Sequence, residues 1–177
     1  MEICLIRHTT PAVDKGICYG QTDLGLVDQY PEELEVVRSK VDGPFDKVYS
    51  SPLQRCATLA GDLFIPQEIH YDDRLKEYDF GMWEMMKWDD IDKDSSEKWM
   101  ADFVNIPAPG GESLGVMHTR VKEFVDELSA QAYSRIALVT HSGVIRIVLA
   151  MVEQTPLRKC FDYQLEYGAV RNVQIVS

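Results

Sequence analysis

Two apolar segments of the chain end in residues that are able to attack and bind an oxyanion. Residues 3–6 lead into Arg7 and His8, and residues 136–140 lead into His141. An imidazole serves as a nucleophile or a proton carrier, and a guanidinium offers a fork of donors to an oxyanion. Both runs have the length and the breakers of buried strands. On the first segment alone, an ordinary strand end with two solvated polar residues fits equally well.

A third segment brings another cation to the same kind of position. Residues 47–50 predict a short strand, Ser51 and Pro52 predict a helix cap and first turn, and residues 53–63 predict the helix. Arg55 falls in the first turn, where the helix dipole disfavours a cation unless an anion lies nearby. The alternative is an exposed surface arginine.

The carboxyl ends of these three strands define the candidate site. If the strands are parallel neighbours, their ends meet at one edge of the sheet, which is where open α/β sheets bind ligands. Two arginines, two histidines and two helix N-termini would then surround one small volume. Forked guanidinium donors and helix N–H groups suit a phosphate.

The remaining pattern alternates strands with helices, so we predict one α/β domain over residues 1–177. Its expected architecture is a three-layer α/β/α sandwich with a mostly parallel sheet and an antiparallel edge strand. A long functional loop is predicted over residues 9–30. The other predicted elements are helices at 31–41, 84–91, 95–104, 112–130 and 144–152, an edge strand at 68–71 and a last strand at 169–176.

Composition narrows the function classes. The chain has 177 residues, 45% of them hydrophobic, and a formal net charge of −11. A globular protein is expected, and a binder of nucleic acid or anionic membranes is not, because either would need a basic face. No apolar stretch approaches the roughly 20 residues of a membrane span, and the N-terminus does not look like a signal peptide. Four dispersed cysteines predict reduced thiols in a cytoplasmic protein, and no histidine pair has metal spacing.

Five motifs in order carry a resemblance to a known family. They are Ile6-Arg-His-Thr9, Ser50-Ser-Pro-Leu-Gln-Arg-Cys-Ala57, Leu75-Lys-Glu-Tyr-Asp-Phe-Gly-Met-Trp-Glu84, Pro109-Gly-Gly-Glu-Ser113 and Val139-Thr-His-Ser-Gly-Val-Ile-Arg146. Together they resemble the histidine phosphatase superfamily, which has the phosphoglycerate-mutase-like fold. Within it, the segment Gly16-Ile-Cys-Tyr-Gly-Gln-Thr-Asp23 and the compact length most resemble α-ribazole phosphatases, which act in cobalamin nucleotide-loop assembly.

The resemblance implies roles for the residues of the predicted site. His8 is implied to attack phosphorus and form a phosphohistidine. Arg7, Arg55 and His141 are implied to hold the non-bridging oxygens and to balance the charge of the transition state. Glu77 is implied to be the general acid and then the base.

Other assignments were less specific. Glu84 is the main rival of Glu77, and Asp79 is a weaker one. Gln21 and Thr22 are the substrate-contact candidates of the long loop, and the backbone N–H of Ser142 is expected to join the pocket. Arg146 is expected to face solvent or a structural carboxylate, and His70 and His118 are expected to be surface or structural residues.

The chain departs from the family pattern at three positions. Thr9 stands where Gly commonly follows the nucleophilic histidine, and Pro11 stands where Ser or Thr is common. Met85 stands where a Gly often follows the Trp-Glu pair. These departures bear on the shape of the substrate loops.

The implied activity is that of a metal-independent phosphomonoesterase that needs no cofactor and acts on a small molecule, with α-ribazole 5′-phosphate the expected substrate. The alternatives are a broad-specificity sugar-phosphate phosphatase, a phosphoglycerate mutase and a silent sensor of phosphorylated ligands. A mutase typically has a longer insertion between Glu77 and His141, so hydrolysis is favoured. The protein is expected to be a monomer or a homodimer.

Overall fold

The fold is built on a five-stranded sheet. The computed structural model describes residues 1–175, and the sheet order is β3-β2-β4-β1-β5. Strands β1 to β4 are parallel, and β5 pairs antiparallel with β1 at one edge. The strands are β1 (Glu2–Arg7), β2 (Lys47–Ser50), β3 (Ile69–Tyr71), β4 (Arg135–Thr140) and β5 (Val170–Gln174). The predicted mixed sheet with an antiparallel edge is confirmed.

Helices cover both faces of this sheet. They are α1 (Tyr30–Arg38), α2 (Gln54–Leu63), α3 (Lys93–Ala101), α4 (Leu114–Ser129) and α5 (Ser142–Val152). Side chains alternate along a strand, so Ile3 and Leu5 of β1 pack with α4 and α5, while Cys4 and Ile6 pack with α1 and α2. The central strands are therefore apolar on both faces, as expected for parallel strands buried between two helical layers.

The sheet order brings the predicted site together. Strand β4 lies between β1 and β2 and is parallel to both. The strand ends that carry Arg7, Ser50 and Thr140 therefore meet at one edge. The segment from His8 to Gln29 contains neither a helix nor a strand, only isolated bridges, which agrees with the predicted long loop.

The predicted helix over residues 84–91 is wrong. Single 3₁₀ turns lie at Gly81–Trp83 and Trp88–Asp90 instead. The backbone of this segment bonds to the long loop: Met85 N–H donates to Cys18 O at 2.7 Å, and Cys18 N–H donates to Met86 O at 2.8 Å. Because these groups pair across the chain, they are not used for helical bonds.

Several element boundaries also differ from the predicted ones. Helix α2 begins at Gln54 with Leu53 as its cap residue, so Ser51 does not cap it. Helix α3 begins at Lys93, before the predicted start at Ser95. The cap residue is Asp92, because the Asp92 carboxylate accepts a hydrogen bond from Ser95 N–H. Strand β5 ends at Gln174, and the predicted end at Val176 lies outside the described residues.

Met85 occupies a backbone conformation that favours glycine. Its φ is +65°, in the left-handed region, which costs a residue with a Cβ about 1–2 kcal/mol. This is the position at which the family pattern often has Gly. The departure seen in the sequence is therefore a site of backbone strain.

Met85→Gly is expected to raise the free energy of unfolding by about 0.5–1 kcal/mol, because relief of the left-handed strain exceeds the added flexibility of glycine. Met85→Ala, which keeps the Cβ, is the control and is expected to give no such gain. Urea unfolding of both variants measures the difference. Equal stability of the two variants would contradict strain at this position.

Candidate active site

Backbone pairing continues past the strand ends and places the two histidines together. His8 N–H donates to Thr140 O at 3.0 Å, and Ser51 N–H donates to Val139 O at 3.0 Å. The rings of His8 and His141 lie 5.1 Å apart between centroids, in an edge-to-face arrangement. Two residues more than 130 positions apart in sequence thus face one small volume, as predicted.

His8 is held as a neutral imidazole with one free lone pair. Its Nδ1 lies 2.7 Å from Thr9 O, and because a carbonyl only accepts, Nδ1 carries the proton. Burial and the charges of Arg55 and Arg7 hold the pKa of His8 well below its usual range, against the opposing bond to Thr9 O. The lone pair therefore lies on Nε2, as a nucleophile requires.

His141 is completely buried beside His8. Burial and then the neighbouring His8 and Arg55 hold the pKa of His141 well below its usual range. Its Nε2 lies 2.8 Å from Ser51 Oγ and 3.4 Å from Cys56 Sγ. An imidazole in this setting is neutral in the free protein, and a bound dianion would favour its protonated form.

Both predicted arginines reach the site, and each has an unused donor. Arg55 donates through Nη1 to Thr22 O at 2.9 Å and through Nη2 to Gly20 O. Arg7 donates through Nη1 to Leu165 O. The Nε atoms of Arg7 and Arg55 are buried without a hydrogen-bond partner among residues 1–175. Because backbone carbonyls hold these cations, their charge is left available to an anion.

Two tyrosines cover the cationic site. Tyr167 lies under the guanidinium of Arg7 at 4.0 Å and 5.6 Å from the ring of His8. The hydroxyls of Tyr19 and Tyr167 are 2.6 Å apart, which joins the long loop to the segment before β5. The pair lies next to both arginines, since the ring centre of Tyr19 is 5.7 Å from the guanidinium carbon of Arg55.

Glu77 lies at the N-terminus of α5. Its carboxylate accepts from Tyr78 N–H at 2.9 Å and from Gly143 N–H and Ser142 Oγ at 3.2 Å. A Cβ at position 143 would lie 2.2 Å from Glu77 Oε1, so glycine is needed for this close approach. The backbone of Glu77 is also fixed, since its carbonyl accepts from Arg120 Nη2 at 3.0 Å.

Glu84, the main rival of Glu77, has a different environment. Its carboxylate accepts from Thr22 Oγ1 at 2.6 Å and from four backbone N–H groups, those of Gly20, Gln21, Thr22 and Phe80. Burial acts to raise the pKa of Glu84, but these donors together hold it below its usual value. Glu84 is therefore an ionised residue that shapes the loop.

Of the three predicted substrate contacts, Ser142 lines the cavity beside His8, whereas Gln21 and Thr22 do not. The Gln21 side chain donates to Glu77 O at 3.1 Å, and the Thr22 hydroxyl donates to Glu84. Neither side chain lines the cavity beside His8, so the structure gives both a setting that differs from the predicted one. Ser142 does line that cavity. Asp79 accepts from Gly81 N–H and is not among the lining residues.

The cavity beside His8 has a volume of about 200 Å³. Its charged and polar lining comes from Arg7, His8, Glu77, Ser142 and Arg146. The rest of its wall is mostly apolar and aromatic, and includes Tyr78, Phe80, Trp88, Trp99 and Phe161. The site thus joins a cationic end to an aromatic chamber.

Metal sites and membrane-spanning helices are both absent from residues 1–175. No group of three His, Cys, Asp or Glu side chains in this range has the geometry of a metal site. None of the helices in the described part of the chain combines the length and the apolarity needed to cross a bilayer.

Sequence reasoning missed four residues that shape the site: Tyr19, Tyr167, Arg120 and Arg146. Tyr19 lies in the Gly16–Asp23 segment but was given no role, and Tyr167 lies outside the five motifs; the two meet only in the folded chain. Arg120 sits on α4 and pairs with Glu112 of the Pro-Gly-Gly-Glu motif at 2.6 Å. Arg146 was expected to face solvent or a carboxylate, but it lines the cavity.

A mixed α/β sheet with paired histidines and arginines at its carboxyl edge defines a protein of phosphoryl-transfer type. The family model of the histidine phosphatase superfamily (branch 1) matches residues 3–176. The chain belongs to this superfamily, whose fold the sequence motifs predicted.

Individual relatives agree with this assignment. The adenosylcobalamin/alpha-ribazole phosphatase of Escherichia coli K12 is 28% identical over 185 residues, covering 99% of this chain and 90% of the relative. Phosphoserine phosphatase 1 of Hydrogenobacter thermophilus is 24% identical over 171 residues, covering 92% and 81%. The crystal structure of the alpha-ribazole phosphatase from Shigella flexneri superposes with a TM-score of 0.89 at 25% identity, covering 99% and 91%.

Glu84→Gln is expected to lower the free energy of unfolding by about 2 kcal/mol at pH 7, because donors to a carboxylate lose their charged acceptor. The pKa of Glu84 is depressed from 4.5 in the folded state. Its stabilisation is therefore fully present above pH 4.5 and is lost as the pH falls through the folded pKa. The difference in free energy of unfolding between Glu84→Gln and the wild type should therefore become smaller as the pH falls below 4.5.

Urea unfolding at pH 7 and at pH 3.5 measures this difference. The exposed Glu123→Gln is a matched control on α4 and should change stability little. A Glu84→Gln difference that is equally large at both pH values would contradict the role of the ionised carboxylate.

Proposed function

We propose that the protein hydrolyses phosphate monoesters through a phosphohistidine formed on His8. The observation that carries this proposal is the buried, neutral His8 with its proton on Nδ1, next to His141 and two guanidinium groups with unused Nε donors. Such a site offers a nucleophile and a receptor for the oxygens of the same phosphate.

In the proposed first step, His8 Nε2 attacks phosphorus while the bond to the ester oxygen breaks. Arg7, Arg55 and His141 hold the non-bridging oxygens as their charge is redistributed. The leaving oxygen takes a proton from Glu77, which lines the cavity. The products of this step are the free alcohol and phosphohistidine.

In the proposed second step, water attacks the phosphohistidine and Glu77 accepts its proton. Inorganic phosphate then leaves and His8 returns to its neutral form. The N–H and hydroxyl donors around Glu77 keep its carboxyl at the cavity wall for both proton transfers. Glu84, with its lowered pKa, is poorly suited to give a proton. Gln21 and Thr22 are proposed to position Glu77 and Arg55 through the long loop.

The proposed substrate is a small phosphomonoester with an aromatic alcohol portion, with α-ribazole 5′-phosphate as the leading candidate. The wall formed by Tyr78, Phe80, Trp88 and Trp99 supports an aromatic leaving group. Phosphoserine, the substrate in the name of one relative, carries an ammonium group. Among residues 1–175, Glu77 is the only carboxylate that lines the cavity and could pair with this ammonium group, which favours the aromatic ester. Action in the cytoplasm is proposed as well, supported by the buried free thiols. The protein is proposed to act as a monomer or a homodimer.

Incubation with a ³²P-labelled phosphomonoester in EDTA is expected to release phosphate and to leave an acid-labile, base-stable label on the wild-type protein. His8→Ala should show neither label nor turnover, because the attacking nitrogen is absent. His118→Ala, which changes a histidine away from the cavity, is the control and should retain both. Turnover by His8→Ala at the wild-type level would overturn the nucleophile assignment.

The same assay separates the competing activities. Label that is transferred to another hydroxyl without release would indicate a mutase, and neither label nor release with any ester would indicate a sensor. Glu77→Gln should slow labelling by an alkyl ester more than by p-nitrophenyl phosphate, whose leaving group needs less protonation. Equal slowing would contradict the proton-donor role.

A comparison of kcat/KM across phosphomonoesters tests the proposed substrate class. The kcat/KM of α-ribazole 5′-phosphate is expected to exceed that of phosphoserine by about fivefold or more, since the aromatic wall contributes on the order of 1 kcal/mol or more to a bound ring. A higher kcat/KM for phosphoserine, or equal values for the two esters, would contradict the aromatic assignment.

A further inference from the structure

Arg146 lies inside the cavity but outside the set of residues that the proposed reaction uses. It is half-buried on α5 and lines the same cavity as His8 and Glu77. Its Nε donates to Tyr163 O at 3.1 Å, which holds the guanidinium in place. Its guanidinium carbon lies 5.3 Å from the centre of the Phe161 ring.

The two terminal nitrogens of Arg146 have no partner within the described part of the chain. No hydrogen bond involves them, and no Asp or Glu oxygen of residues 1–175 lies within 4.0 Å of Arg146. Burial lowers the pKa of Arg146 from its ordinary value, although the charge of Glu77 acts in the opposite direction. A cation held in an apolar chamber without a counter-ion needs an acceptor when a bound molecule displaces its water.

The helix sets the spacing between Arg146 and the reacting end of the site. Ser142 and Arg146 are one turn apart on the same face of α5, which corresponds to about 6 Å along the helix axis. Ser142 Oγ donates to the Glu77 carboxyl. An oxygen a few bonds beyond the ester oxygen would therefore come within reach of Arg146.

We propose that Arg146 selects among leaving alcohols by donating its terminal N–H groups to an oxygen acceptor of the alcohol portion, next to the aromatic wall. This proposal rests on the proposed phosphatase function and deepens it. The preferred substrate class is then a phosphomonoester that carries an aromatic group together with a hydroxyl or carboxylate oxygen. An ester with the ring alone leaves the Arg146 donors unpaired, which costs affinity.

The test compares two probes on purified protein: α-ribazole 5′-phosphate, which has ribose hydroxyls beside its ring system, and 1-naphthyl phosphate, which has the ring system alone. Arg146→Met, which keeps the length and removes the donors, is expected to lower the ratio of the two kcat/KM values by about tenfold or more. The loss should appear mainly in KM, because Arg146 contacts the alcohol portion. Arg146→Lys should recover part of the ratio.

Arg158→Met is the matched control, since Arg158 is exposed and does not line this cavity, and it should leave the ratio unchanged. A ratio unaffected by Arg146→Met would overturn the inference while leaving the phosphatase intact. An equal loss on both probes would also overturn it, because that result assigns Arg146 to the phosphoryl step or to the fold. Failure of the wild type to hydrolyse either probe would instead count against the proposed function.

Discussion

The site depends on positive charge that is held away from water and that no carboxylate of residues 1–175 neutralises by an ion pair. Arg55 is completely buried, and its terminal nitrogens bond to the carbonyls of Gly20 and Thr22. Burial of a charge is costly unless the charge is paired. Hydrogen bonds to these two carbonyl oxygens offset part of this cost. A bound phosphate dianion would complete the pairing of the charge. Burial, together with the charges of the same cations, holds the pKa values of His8 and His141 well below their usual range, so one arrangement would serve both the anion binding and the nucleophilic attack proposed above.

Glu84 and Glu77 have different surroundings, and their proposed roles differ accordingly. Glu84 is surrounded by N–H donors and ties the long loop to the segment that follows Glu77. Glu77 faces the cavity from the N-terminus of α5. The ion pair between Arg120 and Glu112 supports this arrangement from α4, because Arg120 also donates to the backbone carbonyls of Lys76 and Glu77. The position of the proposed acid thus depends on three separate parts of the chain.

The cationic end and the aromatic chamber come from different parts of the fold. The cationic end lies at the carboxyl ends of the parallel strands β1, β2 and β4, whereas residues 78–99 supply four aromatic side chains of the chamber wall and α5 supplies Arg146. The relatives described above carry different names, for an alpha-ribazole phosphatase and a phosphoserine phosphatase. The formal net charge of −11 does not oppose the proposed anion binding, because the cationic end is largely buried and salt screens distant surface charges.

The sequence by itself determined the layered α/β fold and the identity of the paired histidines and arginines. Apolar runs that end abruptly in Arg7 and His8 or in His141 are local signals, and parallel packing brings their ends together. The helix predicted over residues 84–91 does not form, because the backbone of Met85 and Met86 bonds to Cys18. Local helix propensity contains no information on this contact. Three features were decided only by the tertiary structure. The Thr22 hydroxyl donates to Glu84, and the hydroxyls of Tyr19 and Tyr167 bond to each other. Arg146 lines the cavity. These contacts join residues distant in sequence, so their geometry is set by how the loops pack on the sheet and not by any local pattern.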